Sequence, residues 1–277
     1  MLIALITLLS LLSTLGAFLG VGVSLALLWV LPLTFIGSFL GWVLVAFLFL
    51  WLSCVFAPMD KPRERESKFY RGLVEWYVDA IVTLVGVKFE TSGLENIPKN
   101  GRFLLVCNHL HEADPVVLFH FFRGKQLAFI SKKENATMFL VGKVMPQIMC
   151  PLIDRENDRE ALKAILKCIA LIKNDYNSVA VFPEGYIHKQ RKFQHFRAGV
   201  FKIAQKTQVP IVVCTVANTH KILKNLTHLK RTTVKVHLLE VVPPAFYQDK
   251  TTVELAEYVH DMMAEDLGEE YRLEENT

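Results

Sequence analysis

The first 59 residues, Met1 to Met59, contain no charged side chain and no histidine. Two helices of about 20 residues each fit within that length, enough to cross a bilayer twice. Leu31-Pro32 is the expected break between them. A signal peptide has a basic start and an apolar region of roughly 7–15 residues, and this segment matches neither. Packed as a hairpin in a soluble core, so long an apolar run would be hard to keep in solution. Residues 1–58 are therefore read as an N-terminal hydrophobic helical hairpin that anchors to a membrane, and 59–277 as a second domain.

Basic residues follow at once: Lys61, Arg63, Arg65, Lys68 and Arg71. Positive charge beside membrane segments collects on the cytoplasmic side, so the second domain is expected at the cytoplasmic face of the membrane. Two full passes and a shallow re-entrant wedge both place it there. The net charge of +4 over 277 residues suits an anionic surface or a phosphate-bearing substrate and argues against nucleic acid as a partner. Cys54, Cys107, Cys150, Cys168 and Cys214 are scattered through apolar runs, the pattern of buried free thiols in a reducing compartment.

From Ser67 onward helical and strand patterns alternate. Phe69, Tyr70, Leu73, Trp76, Tyr77, Ala80, Ile81 and Leu84 recur at helical spacing up to Val85, facing a core or a membrane interface. Apolar strands are expected at Val87–Thr91, Arg102–Cys107, Leu127–Ser131, Met149–Ile153, Ser178–Phe182, Val209–Val216 and Thr232–Val242. Helices are expected from Asn157 or Asp158, over Arg197–Lys206, and after a Thr251–Glu254 capping box. The tail from Glu269 should fray. Such alternation gives an α/β fold with a largely parallel central sheet flanked by helices.

Sites in open α/β sheets collect beyond the carboxyl ends of strands. Three such ends carry chemistry here. Asn108, His109 and Asp114 follow the Arg102–Cys107 strand, and Asp154-Arg155 follows Met149–Ile153. Glu184-Gly185 follows Ser178–Phe182, trailed by His188, Lys189, Arg191 and Lys192. Their convergence in one pocket is the central expectation. A neutral His109 can take a proton from a hydroxyl through one ring nitrogen while the other donates to Asp114. The five-residue spacing fits equally a structural histidine, with Asp114 capping a helix ahead of Pro115. His109-x-His111 with Glu112 and Asp114 is close to a binuclear metallohydrolase signature, but Ala113 interrupts it and no other histidine has zinc-site spacing, so no metal is expected. Arg155 suits either an ion pair with Glu156 or Asp158, or a phosphate.

Taken together, four ordered blocks resemble the membrane glycerolipid acyltransferases of the 1-acyl-sn-glycerol-3-phosphate acyltransferase (lysophosphatidic acid acyltransferase, PlsC-like) family. The first is Asn108-His109-Leu110-His111-Glu112-Ala113-Asp114, the NHx4D pattern. The second comprises Lys133-Glu134, Gly142 and Ile153-Asp154-Arg155. Phe182-Pro183-Glu184-Gly185, with Phe196-Arg197-Ala198-Gly199 after it, is the third, and Val209-Pro210-Ile211-Val212 the fourth. The resemblance runs from about Ser67 to Val242. Departures are His111 in place of the usual Ser, Tyr186-Ile187 in place of Thr-Arg, and Met149 where Gly is common.

What the resemblance implies is an acyltransferase catalytic domain over 59–277. His109 would be the general base and Asp114 its orienting partner. Arg155 would hold the acceptor phosphate, aided by Lys132 or Lys133. Glu184 and Gly185 would position the glycerol backbone beside Asn108, and Pro210 with Ile211 would shape the acyl side. The expected reaction moves a fatty acyl group from acyl-CoA or acyl carrier protein to the sn-2 hydroxyl of a membrane lipid, 1-acyl-glycerol-3-phosphate, with no cofactor. The missing arginine after Gly185 removes one phosphate contact, for which Lys189, Arg191 or Lys192 can substitute. Another lysophospholipid or amphipathic hydroxyl acceptor, or a non-catalytic lipid-binding role, are the alternatives.

Overall fold

The alternating pattern folds, in the computed structural model of the chain, into a six-stranded mixed sheet with helices on its faces. The described residues are 1–21, 30–59, 63–154 and 156–271, so Lys61 and Arg155 lie outside them. Strands β1 (Lys88–Ser92), β2 (Leu104–Cys107), β3 (Leu127–Phe129), β4 (Ser131–Lys132), β5 (Leu152–Ile153), β6 (Ser178–Val181), β7 (Ile211–Ala217) and β8 (Thr233–Val242) follow in chain order. The sheet runs β1-β8-β7-β2-β6-β3, and β4 and β5 pair separately. Strands β3, β6, β2 and β7 are mutually parallel, β1 is parallel to β8, and β7–β8 is antiparallel. Every residue of β2, β6 and β7 is buried, which explains their unbroken apolar runs.

Helix boundaries follow local chemistry. Ser67 caps α3 (Lys68–Val85), accepting from Tyr70 N, and Gly86 ends that helix at φ 65. Asn157 caps α6 (Asp158–Lys173), and Thr251 with Glu254 forms the full capping box of α10 (Thr252–Leu267). Between them lie α4 (Asp114–Phe121), α5 (Phe139–Val144), α7 (Lys202–Thr207), α8 (Lys221–Thr227) and α9 (Pro244–Tyr247). The helix expected from Arg197 begins as a tighter turn, Ala198–Phe201, before α7. Met149 adopts φ 65, a left-handed conformation that suits the glycine common at this position.

The apolar N-terminal segment forms α1 (Leu2–Val21) and α2 (Val30–Val55), each long and apolar enough to cross a membrane. Leu31-Pro32 is not the break: it lies in the first turn of α2, where proline's missing N–H costs no hydrogen bond. Helices α2 and α3 meet through Tyr77 Oη donating to Ala46 O (2.5 Å) and Tyr70 Oη donating to Ser53 O (2.8 Å). That order makes the two helices antiparallel. Leu2 and Ile6 of α1 are buried against Ala80 of α3.

The tail is also more ordered than expected. Residues 269–271 form a turn whose Tyr271 is buried, its carbonyl accepting from Phe193 N at 2.7 Å. Residues 272–277 lie outside the described part. All five cysteines are buried and free.

Candidate active site

Because β2, β6 and β7 run in parallel, their carboxyl ends bring residues 108, 182–185 and 218–219 to one edge. Asn108 continues the sheet with its side chain: Nδ2 donates to Val216 O and Oδ1 accepts from Val216 N, both at 2.8 Å. Expected at the substrate, Asn108 is instead fully buried and anchors the loop.

The chain then turns so that His109 Nδ1 lies 3.1 Å from Asp114 Oδ2. The carboxylate is fully enclosed. Its Oδ2 also accepts from the amides of Leu110 and His111 at 2.8 Å, and its Oδ1 accepts from Thr219 Oγ1 at 2.5 Å. Asp114 is therefore the first residue of α4 rather than its cap. The cap position belongs to Ala113, which makes no side-chain bond. The Asp114 carboxylate faces back to the loop and holds the imidazole, as an orienting partner must.

Two further contacts set the ring. Phe182 stacks on it with centroids 4.1 Å apart and planes 14° apart. The His109 amide donates to Glu184 Oε1 at 2.5 Å. His109 Nε2 has no hydrogen bond among the described residues and is the ring atom left to meet a ligand.

Glu184 was expected at the glycerol backbone, but it is 1% exposed. Its second oxygen accepts from Gln194 N at 2.9 Å. Burial pushes this carboxyl up to about 8, against the opposing pull of the two amides. So enclosed, Glu184 offers no surface to a ligand. It braces the backbone of His109 against the 193–196 segment.

Gly185 adopts φ 82, and a Cβ there would sit 2.9 Å from Arg197 Nε. It lines a groove of about 160 Å³ together with Ile130, Ile153, Ile165, Phe182 and Arg197. Phe182 is thus both a wall of the groove and the support of the His109 ring. An apolar groove one ring away from a proton acceptor suits an acyl chain or thioester arm.

Of the three basic candidates after Gly185, Arg191 is the one drawn to the loop between His109 and Asp114. Its Nη1 donates to Leu110 O at 3.1 Å and lies 3.7 Å from Glu112 Oε2. It reaches there from φ 59, an uncommon conformation for a residue other than glycine. Lys192 instead donates to Glu270 O at 3.1 Å. His111 Nδ1 accepts from Ala113 N at 3.2 Å, and its Nε2 is 3.4 Å from Glu112. The Tyr186 hydroxyl, standing where Thr-Arg is usual, donates to Gln194 Oε1 at 2.7 Å.

Of two further expected contacts, Lys133 is paired within the chain and Pro210 falls elsewhere. Lys133 pairs with Asp154 at 2.6 Å, which holds its ammonium above the usual lysine range. Pro210 precedes β7, and its carbonyl accepts from Leu104 N at the start of β2. Five residues of extended chain, about 16 Å, separate that end of β2 from His109. Pro210 therefore belongs to the opposite edge of the sheet. Arg155 lies outside the described residues. Thr219, Gln194 and the stacking of Phe182 carry no local sequence signal, because each depends on which strands are neighbours.

Comparison with known proteins bears on the family and the fold. The family model described as Acyltransferase matches residues 88–217. A "Probable 1-acyl-sn-glycerol-3-phosphate acyltransferase" of Mycoplasma pneumoniae is 31% identical over 183 residues, 64% of this chain and 66% of the relative, just under two thirds of its length. The protein of the same description in Mycoplasma genitalium is 30% identical over 68% of this chain and 72% of its own length. The crystal structure of the 1-acyl-sn-glycerophosphate (LPA) acyltransferase PlsC from Thermotoga maritima shares the fold, with TM-score 0.60 and 23% identity over 79% of this chain and 86% of that one. On these matches, and with the four ordered motif blocks, the chain belongs to the 1-acyl-sn-glycerol-3-phosphate acyltransferase family.

Proposed function

We propose that the protein transfers a fatty acyl group from a thioester, acyl-CoA or acyl carrier protein, to the sn-2 hydroxyl of 1-acyl-glycerol-3-phosphate, giving phosphatidate. The observation that carries this reading is the His109–Asp114 pair, held by Thr219 and two backbone amides, with Nε2 unbonded among the described residues. His109 Nε2 takes the hydroxyl proton as the acceptor oxygen bonds to the thioester carbonyl carbon. Asp114 stabilises the imidazolium. The carbon–sulfur bond then breaks, and the leaving sulfur receives the proton from Nε2, restoring neutral His109. Such positioned base catalysis contributes on the order of 10²–10⁴-fold.

Arg191 is the acceptor's phosphate contact in this reading, with Arg155 as the second. The apolar groove beside Phe182 takes the donor side, and Gly185 leaves the groove open by having no side chain. Membrane association rests on α1 and α2. The part of α2 before its Ala46 contact with α3, residues 30–45, rises about 24 Å, short of the roughly 30 Å hydrocarbon core. That length favours a re-entrant wedge, with the catalytic domain against the cytoplasmic leaflet.

The test is an acceptor screen of the full chain in lipid vesicles, with acyl-CoA and acyl carrier protein donors, read by lipid mass spectrometry. Phosphatidate formed from lysophosphatidate with either donor is the expected product. Acylation confined to acceptors without a phosphate monoester, or no acylation at all, would overturn the assignment.

A further inference from the structure

The hairpin is not the whole of the exposed apolar surface. Between β4 and β5 the chain makes a turn, Lys133–Thr137, and then α5, and at their junction Met138, Phe139 and Leu140 stand out in succession. They are 53%, 49% and 45% exposed. Scattered apolar residues on a surface need no explanation, whereas three in a row at the tip of a projection mark an interaction site. Lys132, Lys133 and Glu134 lie before the tip, Lys133 being paired with Asp154, and Lys143 lies after it, so the apolar centre has flanks with more basic than acidic residues.

Two devices fix this tip beside the hairpin. Gly142 lets α5 fold tightly onto the preceding turn: a Cβ there would lie 2.1 Å from Ala136 O, and Gly142 N donates to Met138 O at 2.7 Å. Gln147, just after α5, is 1% exposed and clasps the chain that leaves α2. Its Nε2 donates to Pro58 O at 2.7 Å, its Oε1 accepts from Arg63 Nε, and its carbonyl accepts from Ser67 N at 2.8 Å. Helix α5 packs directly on α2. On α3, which packs along the base of α2, Phe69, Trp76, Ile81 and Leu84 are exposed. The tip thus belongs to a helix held against α2.

We propose that Met138-Phe139-Leu140 is a second membrane-docking element, which enters the leaflet that receives the hairpin while Lys132 and Lys143 meet anionic headgroups. The occupant is a phospholipid leaflet, because the patch lies on α5, which packs on α2, a helix of membrane-crossing length and apolarity, and carries basic flanks. Its consequence is orientation. The tip grows from the β4–β5 ribbon, next to Ile130 and Ile153 of the groove, so docking would bring the mouth of the groove to the lipid.

All five native cysteines are buried, so one introduced surface cysteine can be labelled selectively. The full chain carrying Phe139→Cys, labelled with a nitrobenzoxadiazole fluorophore, is reconstituted in phosphatidylcholine–phosphatidylglycerol vesicles. Val253→Cys on α10, which is 54% exposed, serves as the comparison. The label at 139 is expected to shift to the blue and to be quenched by doxyl lipids, while that at 253 reports water. A label at 139 as hydrated and unquenched as that at 253 would overturn the proposal, whether or not the protein acylates anything. A second measurement uses the pair Phe139→Glu and Leu140→Glu, which retains the hairpin. Turnover of a long-chain acceptor presented in vesicles should fall about tenfold, the effect of losing roughly 1.4 kcal/mol of apolar insertion. Turnover of a short-chain, water-soluble acceptor should hold. Equal turnover of both acceptors before and after the change would count against docking.

Discussion

The Thr219 hydroxyl donates to Asp114 Oδ1 at 2.5 Å, so a residue beyond β7 holds the carboxylate to which His109, beyond β2, is turned. Asp114 thereby has both oxygens occupied before any substrate arrives. His109→Ala should lower acyl transfer by on the order of 10²–10⁴-fold with the fold unchanged. Thr219→Val should lower kcat several-fold and leave KM for the acceptor unchanged, since it loosens the orienting group without touching substrate. Steady-state kinetics with circular dichroism decides both. Near-normal turnover of His109→Ala would remove it as the base.

Glu184 makes stability depend on pH. Its carboxyl rises from 4.5 to about 8 on folding, so between those values the folded chain holds a proton that the unfolded chain has lost. The contribution of this group is fully present below about pH 4.5 and is lost as pH rises through 8. Denaturant midpoints measured from pH 5 to 8 should therefore fall more steeply for the native chain than for Glu184→Gln. Parallel pH profiles for the two proteins would show that Glu184 keeps an ordinary carboxylate pKa in the fold.

Arg191 should separate stability from function. Its φ of 59 is a strained conformation that glycine adopts freely. Arg191→Gly should hold or raise thermal stability, by up to about 1 kcal/mol, yet raise KM for a phosphorylated acceptor with little change in kcat. A lower melting temperature together with an unchanged KM would make the Leu110 contact a purely structural one.

Asn108 belongs to the frame rather than to the chemistry. Asn108→Ala leaves Val216 N–H and C=O without their side-chain partner in a fully buried place. The cost should be about 1–3 kcal/mol per unsatisfied group, seen as a lower denaturant midpoint. Activity should fall through displacement of the His109 loop. An unchanged midpoint would contradict the strand-like role of this side chain.

Local chemistry alone determined much of the protein. The charge-free N-terminal run, the caps at Ser67, Asn157 and Thr251, and the buried strands around Leu105, Ala180 and Val213 are written in short stretches, because burial and capping act between near neighbours. The pairing of His109 with Asp114 spans a single loop and was legible for the same reason. Tertiary structure decided what strand order controls. Placing β7 beside β2 brings Thr219 to Asp114 and sends Pro210 to the far edge, while placing β6 on the other side of β2 sets Glu184 under the His109 amide and Phe182 under its ring. Among three basic residues within four positions, only the path of the 188–192 loop singled out Arg191. Contacts between residues far apart in sequence arise only once the sheet has assembled, and no local pattern carries them.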